Sequence, residues 1–227
     1  MRHEREGFRS RAARVDPKRL YFFDEFGFNL SMTRLYARAP SSERAYGKVP
    51  VNRGAAMTLV LGLGREGVVE PLALEGSMNG ALFGAYMVEQ VIPNLPPGAI
   101  VIVDNLGAHR SDAAIDALEA RGVRVVEHPD EARLAPDYQG IQLWFLPAYS
   151  PELSPAEECG SKVKALTRAK NPRTTDDLIA AMGQAIGQVT PHDAEGWFEH
   201  AARDRQPTRR ASRAVASRPD EAAANPG

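Results

Sequence analysis

Three acidic positions stand where a sheet-forming chain can gather carboxylates. Asp24 closes the run Leu20-Tyr-Phe-Phe, Asp104 follows Ala99-Ile-Val-Ile-Val103, and the pair Glu157-Glu158 comes just after Pro151-Glu-Leu-Ser-Pro155. The first run reads as a strand from its aromatic and aliphatic residues, the second as a strand buried on both faces. If the two strands are neighbours, Asp24 and Asp104 converge at one edge of a sheet, and a helix start packed over that edge adds a third carboxylate. Three hard oxygen donors with open positions suit Mg²⁺ or Mn²⁺, which keep waters and accept phosphate oxygens. Two such ions activate an attacking hydroxyl and stabilise the leaving oxygen of an in-line phosphoryl transfer. Each acid also has a plain structural role: Asp24 as a turn former, Asp104-Asn105 as an Asx turn, Glu157 and Glu158 as first-turn acids favoured by the helix dipole. Glu25 alternates to the opposite face from Asp24 and is the weaker ligand candidate. Spacing alone does not choose between Glu157 and Glu158.

The elements that must position these acids follow from periodicity and turn residues. Ala55–Leu63 and Val68–Leu74 are β-rich runs joined by Gly64-Arg-Glu-Gly67, a hairpin signal. Leu82, Phe83, Tyr86, Met87 and Val91 repeat at helical spacing up to Pro93. Ser111 caps a further helix that stops at Gly122. Val123–Val126 and Ile141–Leu146 both read as candidate starts of a fifth strand. Helices are expected over about 156–169, 175–189 and 191–202. A hairpin-rich start followed by strand–helix alternation is an α/β pattern, a mixed sheet with helices on its faces.

A length of 227 residues suits one domain with a sizeable core, and 43% hydrophobic with 25% charged residues is ordinary for a globular protein. The single cysteine, Cys159, allows no intramolecular disulfide. No stretch reaches the roughly 18 consecutive apolar residues of a membrane span. The charged start Met1-Arg-His-Glu-Arg-Glu has no apolar run of a secretory signal behind it. The expectation is therefore no membrane association and a cytoplasmic protein. The net charge of −1 hides basic ends: an N-terminal extension over residues 1–19 and an Arg/Ala-rich tail over 203–227. From charge alone both ends read as solvated, disordered chain.

The text around the acids is more specific than the acids themselves. Tyr21-Phe-Phe-Asp24-Glu-Phe-Gly27, Val103-Asp104-Asn-Leu-Gly-Ala-His109 and Leu146-Pro-Ala-Tyr149-Ser-Pro151-Glu-Leu-Ser154-Pro-Ala-Glu157 occur in this order, with Lys164 seven residues on. The three blocks resemble the bacterial insertion-sequence (IS-six-thirty) branch of the Tc/mariner DDE transposases, from about Leu20 to His200. The resemblance implies a ribonuclease H-like mixed five-stranded sheet with helices on both faces, as a catalytic domain over residues 20–202. It places the catalytic, metal-holding triad on Asp24, Asp104 and Glu157, which selects Glu157 over Glu158, and it implies Mg²⁺ or Mn²⁺, two ions, as cofactor. The activity implied is metal-dependent cleavage at transposon ends, then attack of the freed 3′-hydroxyl on target DNA. Partners implied are transposon-end and target DNA and a homodimeric arrangement on DNA. Arg34, Arg38, Arg44, Lys48 and Arg53, five cations on one loop, are the DNA-facing candidates, joined by His109 and Lys164. His109 has the alternative of orienting a carboxylate, and Lys162 is balanced between phosphate contact and solvation.

Three departures from that family bear on activity. Only 23 residues precede Asp24, too few for the family's helix-turn-helix domains, so end recognition is expected to need a separate helix-turn-helix subunit. The interval from Asp104 to Glu157 is 53 positions, longer than the family's, and the two candidate starts of the fifth strand, Gly122 and Gly140, are 18 apart. An insertion over 123–140, carried as a surface loop, accounts for the excess. Finally, Ser154-Pro-Ala-Glu157 stands for the usual Asn-Pro-Ile-Glu, with Ser154 as helix cap, and Gly160 stands for a usual tryptophan. Glycine there removes packing volume and costs roughly 1 kcal/mol of helix propensity against alanine. The competing expectation is a catalytically inactive remnant that binds DNA or a transposase.

Overall fold

The computed structural model describes residues 2–33, 37–48, 50, 52–126 and 138–203. Arg34, residues 127–137 of the expected insertion and residues 204–227 of the tail lie outside the described residues. The chain begins with helix α1 (Arg2–Ala12), then strands β1 (Leu20–Phe28), β2 (Met57–Gly64) and β3 (Gly67–Glu75). Helix α2 (Gly80–Tyr86) continues through a π-turn (Met87–Val91) into the short α3 (Ile92–Asn94), which ends before β4 (Ile100–Val103). Helix α4 (Asp112–Glu119), β5 (Arg124–Val126) and β6 (Gln142–Phe145) follow, and α5 (Pro155–Lys170), α6 (Thr175–Ile186) and α7 (Pro191–Ala202) complete the order. Among the described residues no helix is long and apolar enough to cross a membrane.

The sheet has six strands in the order β3-β2-β1-β4-β6-β5. β1, β2 and β3 pair antiparallel, while β1–β4, β4–β6 and β6–β5 pair parallel. The expected five strands are thus corrected to six. Both candidate starts of the fifth strand are strands: β6 takes the place beside β4, and Arg124–Val126, inside the expected surface-loop insertion, adds a parallel edge strand outside it. β3, at the other edge, carries Pro71, which an edge strand tolerates because no second neighbour needs its missing N–H.

Alternation along the strands builds one core on each face. Phe22, Phe26 and Phe28 join Leu59, Leu61, Leu63, Ile100, Ile102 and Trp144 beneath α5–α7. Phe23 joins Val60, Val101, Val103, Leu143 and Phe145 beneath α2 and α4. All four residues of β4 are buried, as its unbroken apolar text requires. In β6 the one polar residue, Gln142, is 1% exposed and accepts the Trp144 indole N–H at 3.0 Å, so neither polar group is buried without a partner.

Local chemistry sets the helix ends. Asn79 caps α2 and Ser111 caps α4 through their side chains, and Thr174 and Thr190 form capping boxes with Asp177 and Asp193. Ser154 stands at the N-cap of α5, but its side chain makes no capping bond, which corrects the sequence expectation. The N-terminal extension also differs from solvated chain. Phe8, Ala12 and Val15 lie at i, i+4 and i+7, and Phe8 is 2% exposed in the α5–α7 core with the other two packed against it. That apolar stripe outweighs the surrounding charge.

Candidate active site

The parallel register of β1 on β4 ends with Phe22 opposite Ile102, and Asp24 and Asp104 each lie two residues beyond that pair, at the same end of the sheet. Asp24 has the same parity as Phe22 and Phe26 and faces α5. Glu157 sits in the first turn of α5, behind Pro155 and Ala156. All three acids line one open cleft of about 350 Å³, walled by Phe23, Asn105, Leu106 and the segment Leu146–Pro151. Asp104 accepts the Leu106 N–H at 3.2 Å, so its Asx turn and its place in the cleft coexist.

Electrostatics mark the cleft as short of positive charge. Burial raises the Asp24 carboxyl to about 7, and the Glu157 and then the Asp104 charges push the same way. The Glu25 N–H, donated to Asp24 Oδ1 at 2.7 Å, only partly opposes them. Among the described residues, no three His, Cys, Asp or Glu side chains stand close enough to hold a metal ion as they are. Carboxylates that repel one another across a cleft splay apart, and a divalent cation supplies the charge that draws them together. Hard oxygen donors, one of them a carboxyl that burial and neighbouring acids make costly to ionise without a cation, fit Mg²⁺ or Mn²⁺.

Glu25 points to the other face, as alternation requires, and meets His109. The imidazole is 2% exposed, with Nε2 at 3.0 Å from Glu25 and Nδ1 at 2.7 Å from Asp104. Its centroid lies 4.3 Å from that of the Phe83 ring. Burial alone would lower its pKa, but hydrogen bonds to Asp104 and Glu25 outweigh that and raise it to about 9. A ring enclosed in this way offers no surface to DNA, which corrects His109 as a DNA contact. The alternative of a carboxylate-orienting histidine fits the geometry.

The other candidates divide by location. Arg38, Arg44, Lys48 and Arg53 are exposed on the connection between β1 and β2, which leaves the sheet past Asp24. The Lys48 carbonyl accepts from Arg173, tying that connection to the α5–α6 turn. Lys164 is half-buried with Nζ 5.3 Å over the Phe26 ring and 6.0 Å from that of Phe28. Lys162 forms an ion pair with Asp193, joining α5 to α7, so it is spent on packing. The cost expected of Gly160 is offset by a close approach. A Cβ there would fall 2.0 Å from the Phe26 ring, so the phenylalanine of β1 occupies the space a larger residue would need.

Sequence reasoning missed two features of the cleft wall. Tyr149 is left-handed (φ 54°) and 86% exposed, and Arg5 of α1 contacts the Tyr149–Glu152 turn. The 8, 12, 15 apolar spacing could have signalled the helix that the charge reading passed over, but nothing local signals what Arg5 reaches.

The family model described as DDE superfamily endonuclease matches residues 19–179. This chain belongs to that family. Among solved structures, this DDE chain is similar to the catalytic domain of Mos1 mariner transposase, with TM-score 0.57, 14% identity, and coverage of 88% of this chain and 85% of that one. It is similar also to Mos1 transposase in a paired-end complex with the left transposon end (TM-score 0.64, 14% identity, 88% and 57% covered). The Mos1 strand transfer complex gives TM-score 0.62 at 15% identity, covering 88% and 56%. At such identities the likeness is one of fold, the ribonuclease H-like fold of a transposase catalytic domain. The DDE chain spans a little over half the length of the Mos1 chains in those two complexes. No curated protein matches it.

Proposed function

We propose that this chain is the catalytic domain of a DDE transposase of the insertion-sequence (IS-six-thirty) branch, cleaving DNA at element ends and joining the freed 3′-hydroxyl to target DNA. The observation that carries the reading is the cleft shared by Asp24, Asp104 and Glu157, in which burial and the neighbouring acids raise the Asp24 carboxyl to about 7. Support for the metal comes from Mos1 transposase, whose paired-end complexes are described with Mn and with Mg.

Asp24, Asp104 and Glu157 hold the cofactor, two Mg²⁺ or Mn²⁺ ions. Such ions, when bound, stabilise the attacking and leaving oxygens of the in-line transfer. His109, locked by Glu25 on one ring nitrogen, holds Asp104 by the other and limits its rotation. Arg38, Arg44, Lys48 and Arg53 neutralise backbone phosphates beside the cleft, with Lys164 contributing from α5. Arg34 belongs to the same set by sequence. A homodimer on DNA completes the reading.

The test is strand nicking and joining of a DNA that carries the element's ends, with Mn²⁺ present. Products with the wild type and none with Asp24→Asn or Glu157→Gln are expected. A folded wild type that produces no nick beside a working control overturns the catalytic reading. A second reading, an inactive remnant that binds DNA or a transposase, draws on Gly160 in the helix that carries Glu157. Under it the wild type retains DNA or transposase and produces neither nick nor joint.

A further inference from the structure

Helix α1 lies outside the 19–179 stretch that matches the family model, yet one of its side chains reaches the wall of the acidic cleft. Arg5 Nε donates to Ser150 Oγ at 2.8 Å and stands 3.3 Å from the Glu152 carboxylate, and a terminal guanidinium nitrogen donates to the Tyr149 carbonyl. A planar guanidinium, with its donors in a rigid fork, can define the relative places of three acceptors in a way a flexible ammonium cannot. Phe8, three residues on, anchors the helix in the core at 2% exposure. Arg5 therefore acts from a fixed base.

The turn it grips needs an external hold. Tyr149 is left-handed without being glycine, a conformation that costs roughly 1 kcal/mol and persists where surroundings impose it. The residue is 86% exposed, so its side chain cannot supply that hold by packing. Ser150, 4% exposed, passes the constraint back by donating to the Ala148 carbonyl at 3.2 Å. Beyond it the chain runs through the 3-10 turn Pro151–Leu153 directly into α5. Tyr149, Ser150 and Pro151 line the cleft together with Ser154 and Glu157, so a shift of this turn moves one wall of the site and the root of its third acid.

We propose that Arg5 is a positioning residue of the carboxylate site: by fixing the Tyr149–Glu152 turn it sets where Glu157 enters the cleft, and so the strength of divalent-cation binding. The proposal rests on the reading of Asp24, Asp104 and Glu157 as the metal-holding set. It is tested by Mn²⁺ titration of the full chain, following the paramagnetic resonance of free Mn²⁺, for wild type, Arg5→Ala, Arg5→Lys and Ser150→Ala, with thermal unfolding alongside. Loss of a group bonded directly to a metal ligand typically weakens a site 10–100-fold, and Arg5→Ala, acting through the turn, is expected at the low end, roughly tenfold. Arg5→Lys should recover part of that, Ser150→Ala should lose less, and excess Mn²⁺ should restore DNA nicking by Arg5→Ala. Rescue by metal together with an unchanged metal-free unfolding midpoint is a response that simple loss of stability would not give.

A cooperatively folded Arg5→Ala protein that binds Mn²⁺ like the wild type overturns the proposal. Should Arg5→Ala fail to fold, the other two variants decide: wild-type affinity in both overturns it, and weakened affinity in either supports it. A wild type that binds no Mn²⁺ overturns the metal-dependent reading and this proposal together. Wild-type binding shared by all the Arg5 and Ser150 variants overturns the Arg5 role alone.

Discussion

The two halves of the acidic cleft are held by different physics. Asp24 lies on β1 and Asp104 directly follows the buried β4, so the parallel pairing of these strands carries both acids to one end of the sheet, and a one-residue slip would turn the faces over. Glu157 arrives from a helix that follows a left-handed turn, lacks a side-chain N-cap bond, and is seated by Phe26 against Gly160. The strand half is rigid and charged against itself. The helix half depends on a few contacts distant in sequence and is the half that can be tuned.

The sharpest way to break the strand half is Asp24→Asn. Nicking should fall on the order of a thousandfold or more, the scale of losing a group that manages developing charge. The metal-free protein should at the same time unfold at a higher temperature at pH 8, because a buried carboxylate raised to about 7 is replaced by a neutral amide. Opposite signs in activity and stability are expected, and a loss of both would contradict the electrostatic account.

The helix half should break by volume. Gly160→Trp forces a Cβ and an indole into the space of the Phe26 ring, and overpacking of this kind costs roughly 3 kcal/mol or more. Denaturant unfolding measures the loss, and Phe26→Ala in the Gly160→Trp background should recover part of it. Additive losses in that double-mutant cycle would show that the two residues do not share the space.

A smaller effect probes the strand half and its histidine by pH. A histidine whose pKa rises from 6.5 to about 9 on folding contributes stability that is full below 6.5 and lost as pH rises through 9. Asp24, raised from 3.8 to about 7, loses its contribution between those values in the same direction. The thermal midpoint of the metal-free protein should therefore fall steadily from pH 4 to pH 9.5, and His109→Gln should flatten the part above 6.5. The smallest effect belongs to the exposed loop: Arg44→Ala or Lys48→Ala should weaken DNA binding a few-fold and reduce the salt slope by about one. Fluorescence anisotropy over a salt series reads it, and an unchanged slope would remove that cation from the interface.

Much of this was legible along the chain. The strands of the hairpin, the buried β4, the caps at Ser111 and Gly122, and the opposite facing of Asp24 and Glu25 all follow from patterns a few residues long. Val123–Val126 shows the limit: the apolar text was recognised but assigned to a surface-loop insertion, and only the sheet shows it as an edge strand beside β6. Gly160 shows another, since a missing side chain reads as a defect until its neighbour is known to fill the space.

What the sequence determined by itself is therefore local: which segments extend or coil, which side chains share a face, and which three text blocks carry the acids. Only the tertiary structure decided that His109 is enclosed between Glu25 and Asp104, that Phe26 seats against Gly160, and that Arg5 reaches across 145 positions to Ser150. Backbone preference acts over a few residues and is written in their order. Convergence of distant side chains depends on how whole faces pack, and packing is a property of the folded solid rather than of any stretch of chain.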